Sequence, residues 1–235
     1  MTKYEGVTMA GKLVVVEGID GCGKTTLVRN LVPKIEEADY KVCLPNEDLN
    51  FTIYRKAKTL FKDIISVYKD EMYVNDLQIS LLALADLYNI KKKIQEELRR
   101  NRIVIMDRWY YSTMVYGTID LFNKKAPLTD ISDRLTVYKH IIKDLDMEPD
   151  VLIYLDADVD LCYQNVLKRY KEIGLLYLDT YESLEAIRIC KRGYSTLIGD
   201  NVKPEKLIVE PIADAADYET ILDRVYSKLI EKLRS

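Results

Sequence analysis

A glycine-rich segment that follows a short apolar run constrains the fold of this chain more than any other feature of its sequence. The run Leu13–Val16 (LVVV) is followed by Glu17 and then by Gly18–Thr26 (GIDGCGKTT), which fits the pattern G-x-x-x-x-G-K-[ST]. Between a strand and a helix, this pattern binds phosphate: glycines let the backbone curl around an anion, and the amides meet the positive end of the helix dipole. The segment therefore predicts a site for a nucleotide such as ATP.

Nine consecutive residues make up this predicted ATP-binding loop. They are Gly18, Ile19, Asp20, Gly21, Cys22, Gly23, Lys24, Thr25 and Thr26. Lys24 would place a full positive charge near the β- and γ-phosphates, which makes it a candidate catalytic residue, and the Thr25 hydroxyl is placed to ligate Mg²⁺. A chance match in a chain of this length has a probability on the order of one in a hundred, so we interpret the segment as functional.

Short apolar runs alternate with longer helical patterns along the chain. The β-type runs are Leu13–Val16, Lys41–Leu44, Arg102–Met106, Val151–Leu155 and Lys206–Val209. The helical patterns are Lys24–Ala38, Leu77–Arg100, Leu128–Asp144, Val159–Tyr170, Leu184–Ile198 and Ala216–Leu233. Continuous apolar runs indicate strands that are covered on both faces. The alternation therefore predicts an α/β, Rossmann-like P-loop NTPase fold with a parallel sheet of five strands flanked by helices.

A second group of polar residues follows the third apolar run. In parallel sheets, ligands bind beyond the carboxyl ends of the strands, and the run RIVIM ends in Asp107 and Arg108. An acidic residue at this position is the usual partner of a phosphate loop and holds Mg²⁺ directly or through water. The planar guanidinium of Arg108 is suited to bridging two phosphates. An ion pair between the two residues, without a ligand, is the alternative.

The composition indicates one nucleotide-binding domain over residues 1–235 and excludes several classes of protein. The 235 residues are 48% hydrophobic with a net charge of −3, which is enough for one core and offers no basic excess for a nucleic-acid polymer. No apolar run approaches the ~20 residues of a membrane helix, and the first residues, MTKYEGVTMAGK, lack the apolar stretch that is typical of a signal peptide. The four cysteines are not spaced as C-x-x-C, so we expect reduced thiols and a cytoplasmic protein. They are Cys22, Cys43, Cys162 and Cys190.

Three segments give the chain a resemblance to the thymidylate kinase family. Glu17–Thr26 (EGIDGCGKTT) resembles the family's phosphate loop, Asp107–Tyr116 (DRWYYSTMVY) resembles its second strand-end motif, and Leu167–Glu182 resembles its lid more loosely. Pro149–Asp158 is similar to the family's fourth strand. The resemblance covers almost the whole chain and implies transfer of the γ-phosphoryl group from Mg-ATP to a nucleoside monophosphate, with dTMP as the first choice. It also implies a homodimer.

The resemblance also implies roles for individual residues. Asp20 would contact the 3′-hydroxyl of a deoxyribose, and Arg108 would hold the acceptor phosphate and meet the transferring group. Family members with glycine at the position of Gly21 carry their catalytic arginine in the lid, which here points to Arg169 and a lid at about residues 170–181. For Arg169 and its basic neighbours, a solvated helix end favoured by the helix dipole is the alternative.

The chain departs from the family at the site of the acceptor phosphate. The family has an arginine after its second strand, whereas residues 43–48 read CLPNED and contain none. Glu47 and Asp48 would repel a phosphate. Arg55, or Lys56 beside it, is therefore the candidate acceptor-binding residue that replaces the arginine.

The base pocket departs from the family as well. Leu87 stands where the family has its base-reading arginine, Ala83 where it has a stacking phenylalanine, and Gly117 where it has Gln or Thr. Leucine cannot hydrogen-bond a thymine carbonyl, so base discrimination should weaken or move. A tyrosine is the candidate replacement platform, with core packing as the alternative for each. The candidates are Tyr73, Tyr88, Tyr111 and Tyr116, of which Tyr116 is the one we assign to the acceptor site.

Two other functions compete with a monophosphate kinase. A kinase for a nucleoside or another small alcohol would need a carboxylate base, and Glu17 or Glu47 could serve. Such an acceptor would also explain the missing phosphate-binding arginine. A non-catalytic module that switches partners on ATP binding would bind ATP tightly without phosphoryl transfer. Measurement of ADP release with nucleosides and monophosphates separates the three.

Overall fold

Five parallel strands form the centre of the computed structural model, which describes residues 10–45, 76–119, 121, 127–174, 180–212 and 218–234. Their order in the sheet is β2-β3-β1-β4-β5, and every neighbouring pair is parallel. The strands are β1 (Lys12–Glu17), β2 (Val42–Cys43), β3 (Ile103–Asp107), β4 (Val151–Ala157) and β5 (Leu207–Ile212). All five coincide with the predicted apolar runs to within a few residues, so the predicted parallel five-stranded sheet is confirmed.

Seven α-helices flank the sheet within the described residues. They are α1 (Lys24–Glu37), α2 (Asp76–Arg99), α3 (Tyr110–Tyr116), α4 (Leu128–Leu145), α5 (Val159–Glu172), α6 (Leu184–Asn201) and α7 (Tyr218–Arg234). Six of them match predicted helical segments. The helix α3 was missed, because five of its seven residues are aromatic or β-branched and seven residues are too few to show a helical period.

Burial of the strands explains their continuous apolar sequence. Val14, Val15 and Val16 of β1 are fully buried because helices cover both faces of the sheet. Helix α1 follows β1 and presents Leu31 and Ile35 to the same core, each with 0% exposure. The central strand that carries the phosphate loop is therefore held rigidly from both sides.

The strand register brings the two predicted polar segments to one edge of the sheet. Val16 of β1 pairs with Asp107 of β3, and Glu17 pairs with Tyr154 of β4 on the other side. The loop that follows Glu17 and the Asp107-Arg108 pair therefore leave the sheet beside each other.

Side-chain caps fix the helices on either side of the lid segment. Asp158 accepts a hydrogen bond from the Leu161 amide (2.9 Å) and is the N-cap of α5. Ser183 accepts from the Ala186 amide (3.3 Å) and begins α6. None of the helices within the described ranges is long and apolar enough to span a bilayer.

Candidate active site

Glycines shape the phosphate loop at two positions for different reasons. Gly21 (φ 82°) and Gly23 (φ 92°) both adopt the left-handed backbone conformation that side chains disfavour. A Cβ at Gly23 would meet nothing within 4 Å, whereas a Cβ at Gly21 would lie 2.8 Å from the carbonyl carbon of Cys162 and closer still to its oxygen. The loop is thus pressed against α5, and the side chain of Asn165 on the same helix donates to the Gly21 carbonyl (3.0 Å).

Lys24 is the first residue of α1 and reaches back across the loop. Its side chain is buried, and Nζ donates to the carbonyl oxygens of Gly18 (2.9 Å) and Ile19 (2.8 Å). The ammonium group therefore lies inside the curve of the loop, where a phosphate chain would meet it together with the start of the helix.

Thr25 and Asp107 meet across the edge of the sheet. The Thr25 hydroxyl donates to Asp107 Oδ2 at 2.6 Å, although the residues are far apart in the sequence. A hydroxyl and a carboxylate are the hard oxygen ligands that Mg²⁺ prefers, so the residues fit this ion. Across the described part of the chain, no group of three or more His, Cys, Asp or Glu side chains converges to hold a metal.

Arg108 adopts a strained backbone conformation beside this pair. Its φ of 75° is in the left-handed region, which is unfavourable for a residue with a Cβ. Its amide donates to the Val16 carbonyl (2.9 Å), and its guanidinium forms an ion pair with Asp20 of the phosphate loop. Such strain persists where the surroundings over-determine the conformation, which is common at functional sites.

Asp20 is the centre of a charged cluster at the mouth of the site. The Tyr116 hydroxyl donates to Asp20 Oδ2 at 2.7 Å, and the Arg108 guanidinium lies 5.1 Å from the centre of the Tyr116 ring. Burial acts to raise the pKa of Asp20, but the charges of Arg108, Lys24 and Arg169 and the Tyr116 bond outweigh it and lower this pKa. Three of the four predicted acceptor-binding residues therefore meet here, while Arg55 lies outside the described residues.

Glu17 is fully buried and holds the start of α3. Its Oε1 accepts from the amides of Trp109 (2.7 Å) and Ser112 (3.2 Å), and its Oε2 accepts from the hydroxyls of Ser112 (2.6 Å) and Tyr194 (2.9 Å). Burial raises the pKa of Glu17, and these hydrogen bonds and the charge of Arg108 oppose the rise. The carboxylate thus acts as a helix cap supplied by β1.

Tyr194 on α6 is a site residue that the sequence did not single out. It is fully buried, and its hydroxyl contacts Ser112 Oγ (2.8 Å) and Arg108 Nη1 (3.4 Å) in addition to Glu17. Tyrosine at a core-facing helix position ordinarily packs, and the chain has eighteen tyrosines. Only the fold reveals that this one reaches the strand-end motif.

The lid segment connects α5 to α6. At the end of α5, Arg169 forms an ion pair with Glu182, to which the Tyr170 hydroxyl also donates. The Tyr181 ring meets Tyr116 edge-on, with centroids 6.0 Å apart. Residues 175–179 of the predicted lid lie outside the described part of the chain. The lid ends thus lie against the acceptor cluster, with Arg169 close enough to contribute to the lowered pKa of Asp20.

Two of the three positions that depart from the family's base pocket are packed within the protein, and the third, Ala83, is partly buried. Leu87 is 3% exposed and belongs to the core. A Cβ at Gly117 would overlap the hydroxyl oxygens of Ser80 and Tyr138, both buried, and Tyr138 donates to the Gly117 carbonyl (3.0 Å). The space of a Gln or Thr side chain is therefore occupied by Tyr138.

The tyrosines considered as replacement platforms separate into distinct environments. The Tyr88 hydroxyl donates to the Ile141 carbonyl (2.6 Å) on an exposed helix face, and Tyr111 stacks against Tyr110 with centroids 4.4 Å apart. Tyr73 lies outside the described residues, as do Glu47 and Lys56. Tyr116 alone among the candidates that the structure describes contacts the Asp20–Arg108 cluster.

Comparisons with known proteins agree with this geometry. A family model described as thymidylate kinase matches residues 16–211. A probable thymidylate kinase from Methanococcus maripaludis is 30% identical over 187 residues, which cover 80% of this chain and 77% of the relative. A thymidylate kinase from Leptospira interrogans is 30% identical over 178 residues, 74% of this chain and 77% of that protein. The solved structure of a thymidylate kinase from Candida albicans has the same fold, with a TM-score of 0.60, 20% identity and coverage of 96% of this chain and 92% of that one. The chain therefore belongs to the thymidylate kinase family.

Proposed function

We propose that the protein is a nucleoside-monophosphate kinase that transfers the γ-phosphoryl group of ATP to dTMP and forms dTDP. The observation that carries the proposal is the meeting of the phosphate loop with the strand-end motif, where Thr25 contacts Asp107 and Asp20 contacts Arg108. Family membership supports ATP as the donor and a nucleoside monophosphate as the acceptor. The relatives are named for thymidylate, which supports dTMP.

Lys24 and the loop would hold the donor. The loop amides and the positive end of α1 bind the β- and γ-phosphates, and Lys24 Nζ exchanges its bonds to the loop carbonyls for phosphate oxygens. Thr25 and Asp107 are the residues that would hold Mg²⁺, and the ion would supply positive charge that offsets the charge of the phosphates. The chain's own residues thereby fix the γ-phosphate in one orientation.

Asp20 and Arg108 would hold the acceptor. The lowered pKa of Asp20 keeps it ionised near neutral pH, so its carboxylate can accept a hydrogen bond from the deoxyribose 3′-hydroxyl. Arg108 would then face the acceptor phosphate and the transferring group, where its positive charge offsets the repulsion between two anions. Tyr116, bonded to Asp20, orients that carboxylate.

Arg169 is the proposed catalytic residue of the lid. The contact of Gly21 with α5 leaves no room for an arginine at this position of the loop, so an arginine over the transferring group would come from elsewhere. Arg169 pairs with Glu182 across the two ends of the lid, and closure would exchange this pair for phosphate. A closed lid also excludes water and suppresses ATP hydrolysis.

The buried state of Glu17 argues against a kinase for alcohols that uses this residue as a base. All its contacts are hydrogen bonds that it accepts from Trp109, Ser112 and Tyr194, and removal of a proton from a substrate would break this cap. A phosphate acceptor is already anionic near neutral pH and needs no strong base.

A coupled assay of ADP release tests the function. Purified protein with Mg-ATP should turn over dTMP faster than dUMP, dCMP or dGMP, and should be nearly inactive with thymidine. Faster turnover of thymidine would identify a nucleoside kinase. Tight ATP binding without turnover of any mononucleotide would identify a binding module.

We also propose a single domain over residues 1–235, a homodimer and a cytoplasmic location. Leu81 and Tyr88 on α2 and Val137 on α4 are 42%, 39% and 49% exposed, and Tyr88 bonds to α4, which supports an interface with a second copy on these two helices. Light scattering after gel filtration should give a dimer mass, and Val137→Lys should shift this mass to that of a monomer.

The four free, buried cysteines support a reducing compartment, in agreement with the proposed cytoplasmic location.

A further inference from the structure

We propose that Tyr194 is a positioning residue that holds Arg108 in its productive conformation. The inference rests on the proposed function, because it assigns Arg108 to the transferring phosphate. Tyr194 belongs to α6, outside both sequence motifs, and reaches them only in the folded chain.

The backbone of Arg108 requires external support. With φ at 75°, the residue is held in a conformation that an arginine adopts at a cost in free energy. The ion pair with Asp20 fixes the tip of its side chain but not the backbone. The bond from its amide to the Val16 carbonyl holds the start of the turn, and contacts that begin at the next residue hold the rest of it.

Glu17 supplies these contacts. It accepts from the amides of Trp109 and Ser112, so the carboxylate fixes the chain immediately after Arg108. Trp109 itself is 2% exposed and its indole donates to the Met147 carbonyl (3.2 Å), which anchors the same turn on its other side.

Tyr194 of α6 contacts both Glu17 and Arg108. Its hydroxyl lies 2.9 Å from Glu17 Oε2, 2.8 Å from Ser112 Oγ and 3.4 Å from Arg108 Nη1. One hydroxyl thus touches the carboxylate that holds the turn, the helix that follows the turn and the guanidinium itself. Removing it would leave a buried carboxylate with one donor fewer and would leave Ser112 Oγ (3.1 Å) as the remaining acceptor of the two that Arg108 Nη1 contacts here.

Helix α6 gives this contact a connection to the lid. The helix begins at its Ser183 cap, directly after Glu182, which pairs with Arg169. The segment that runs from Glu182 through α6 therefore contacts both Arg169, at Glu182, and Arg108, at Tyr194.

The positioning role of Tyr194 should be visible in the pH dependence of catalysis, through the protonation of Glu17. The charged or titratable groups that face Glu17 are Arg108 from the end of β3, Tyr110 and Tyr111 from α3, and Tyr194 from α6. The Tyr194 bond lowers the pKa of Glu17 against the effect of burial. Without that bond, Glu17 would take up a proton at a higher pH, and the turn at Arg108 would loosen there.

The test compares Tyr194→Phe with Tyr154→Phe. Tyr154 is 4% exposed and its ring lies 5.8 Å from that of Tyr194, so its variant removes a hydroxyl from the same core without touching Arg108. For Tyr194→Phe we expect kcat to fall about tenfold, the KM for dTMP to rise and the KM for ATP to stay within about twofold, as loss of one charge-assisted bond implies. In the pH profile of kcat, the acid limb should move to higher pH for Tyr194→Phe. Tyr154→Phe should have the same kcat, KM values and pH profile as the wild type.

A readout without turnover separates this inference from the proposed function. Trp109 is the only tryptophan and is held by Glu17, so its fluorescence should change in Tyr194→Phe and not in Tyr154→Phe. An active wild type with a Tyr194→Phe variant of unchanged kcat, pH profile and fluorescence would overturn the positioning role alone. A wild type without phosphoryl transfer to any monophosphate would overturn the proposed function, and the assignment to catalysis with it.

Discussion

Replacing Gly21 by alanine should destabilise the protein by more than the same replacement at Gly23. Both glycines have φ near 90°, at 82° and 92°, and left-handed backbone costs an L-residue about 1–2 kcal/mol. At Gly23 this is the whole cost, because a Cβ would meet nothing within 4 Å. At Gly21 the Cβ would lie 2.8 Å from the Cys162 carbonyl carbon, so α5 would have to move by about 1 Å to restore ordinary contact.

Overpacking of this kind costs about 1–3 kcal/mol, so Gly21→Ala should lower the free energy of unfolding by about 2–5 kcal/mol and Gly23→Ala by about 1–2 kcal/mol. Urea unfolding followed by the fluorescence of Trp109, which is buried at 2% exposure, measures both. Equal losses within about 0.5 kcal/mol would refute the close contact between the phosphate loop and α5. The argument that position 21 has no room for an arginine would then fail as well.

Three further predictions concern the site and its departures from the family. Thr25→Ala should lower kcat about a hundredfold and raise the Mg²⁺ concentration needed for half-maximal ADP formation, because it removes the hydroxyl beside Asp107; an unchanged Mg²⁺ titration would count against the assignment. Glu17→Gln should flatten the pH dependence of the free energy of unfolding. Burial raises the folded pKa of Glu17, so the stability that its protonation contributes is present below the unfolded pKa and is lost as pH rises through the folded pKa. Urea titrations of the variant at several pH values should show that this contribution is gone. Gly117→Thr, which restores a family residue, should lower the free energy of unfolding by about 2–3 kcal/mol, since its side chain overlaps Tyr138; the combined variant with Tyr138→Ala should recover part of the loss in thermal melts.

The sequence predicted the framework well because the relevant signals are local. The runs that became β1, β3 and β4 are continuous and apolar, and the glycine pattern after β1 fixes both a turn and a helix start. Chain order and the carboxyl-end rule then place Asp107 beside the loop. These inferences need no knowledge of distant contacts.

The parts that were missed depend on contacts between distant segments. Helix α3 is too short for a periodic pattern, and it forms because Glu17 from β1 caps it. Glu17 itself appeared in the sequence as a possible base, since a carboxylate after a strand looks the same whether it faces substrate or core. Tyr194 lies far from every motif, and only the packing of α6 brings its hydroxyl to Arg108.

In the base pocket, too, the sequence alone could not predict the contacts between distant segments. Leu87 and Gly117 are visible as departures in the sequence, but their consequence depends on what fills the space. Tyr138 from α4 occupies the position of a side chain at 117, which no local pattern indicates. Packing between helices therefore determines the structural consequence of these departures.

Turnover by the Lys24→Ala variant is the most direct test that Gly18–Thr26 wraps the triphosphate of the donor. Lys24 Nζ lies inside the loop within 2.9 Å of the Gly18 carbonyl, and loss of its charge at the phosphates should lower ADP formation from ATP and dTMP by at least about a hundredfold. Thermal melting should show that the variant is folded. A folded variant that turns over dTMP at the wild-type rate would contradict the account.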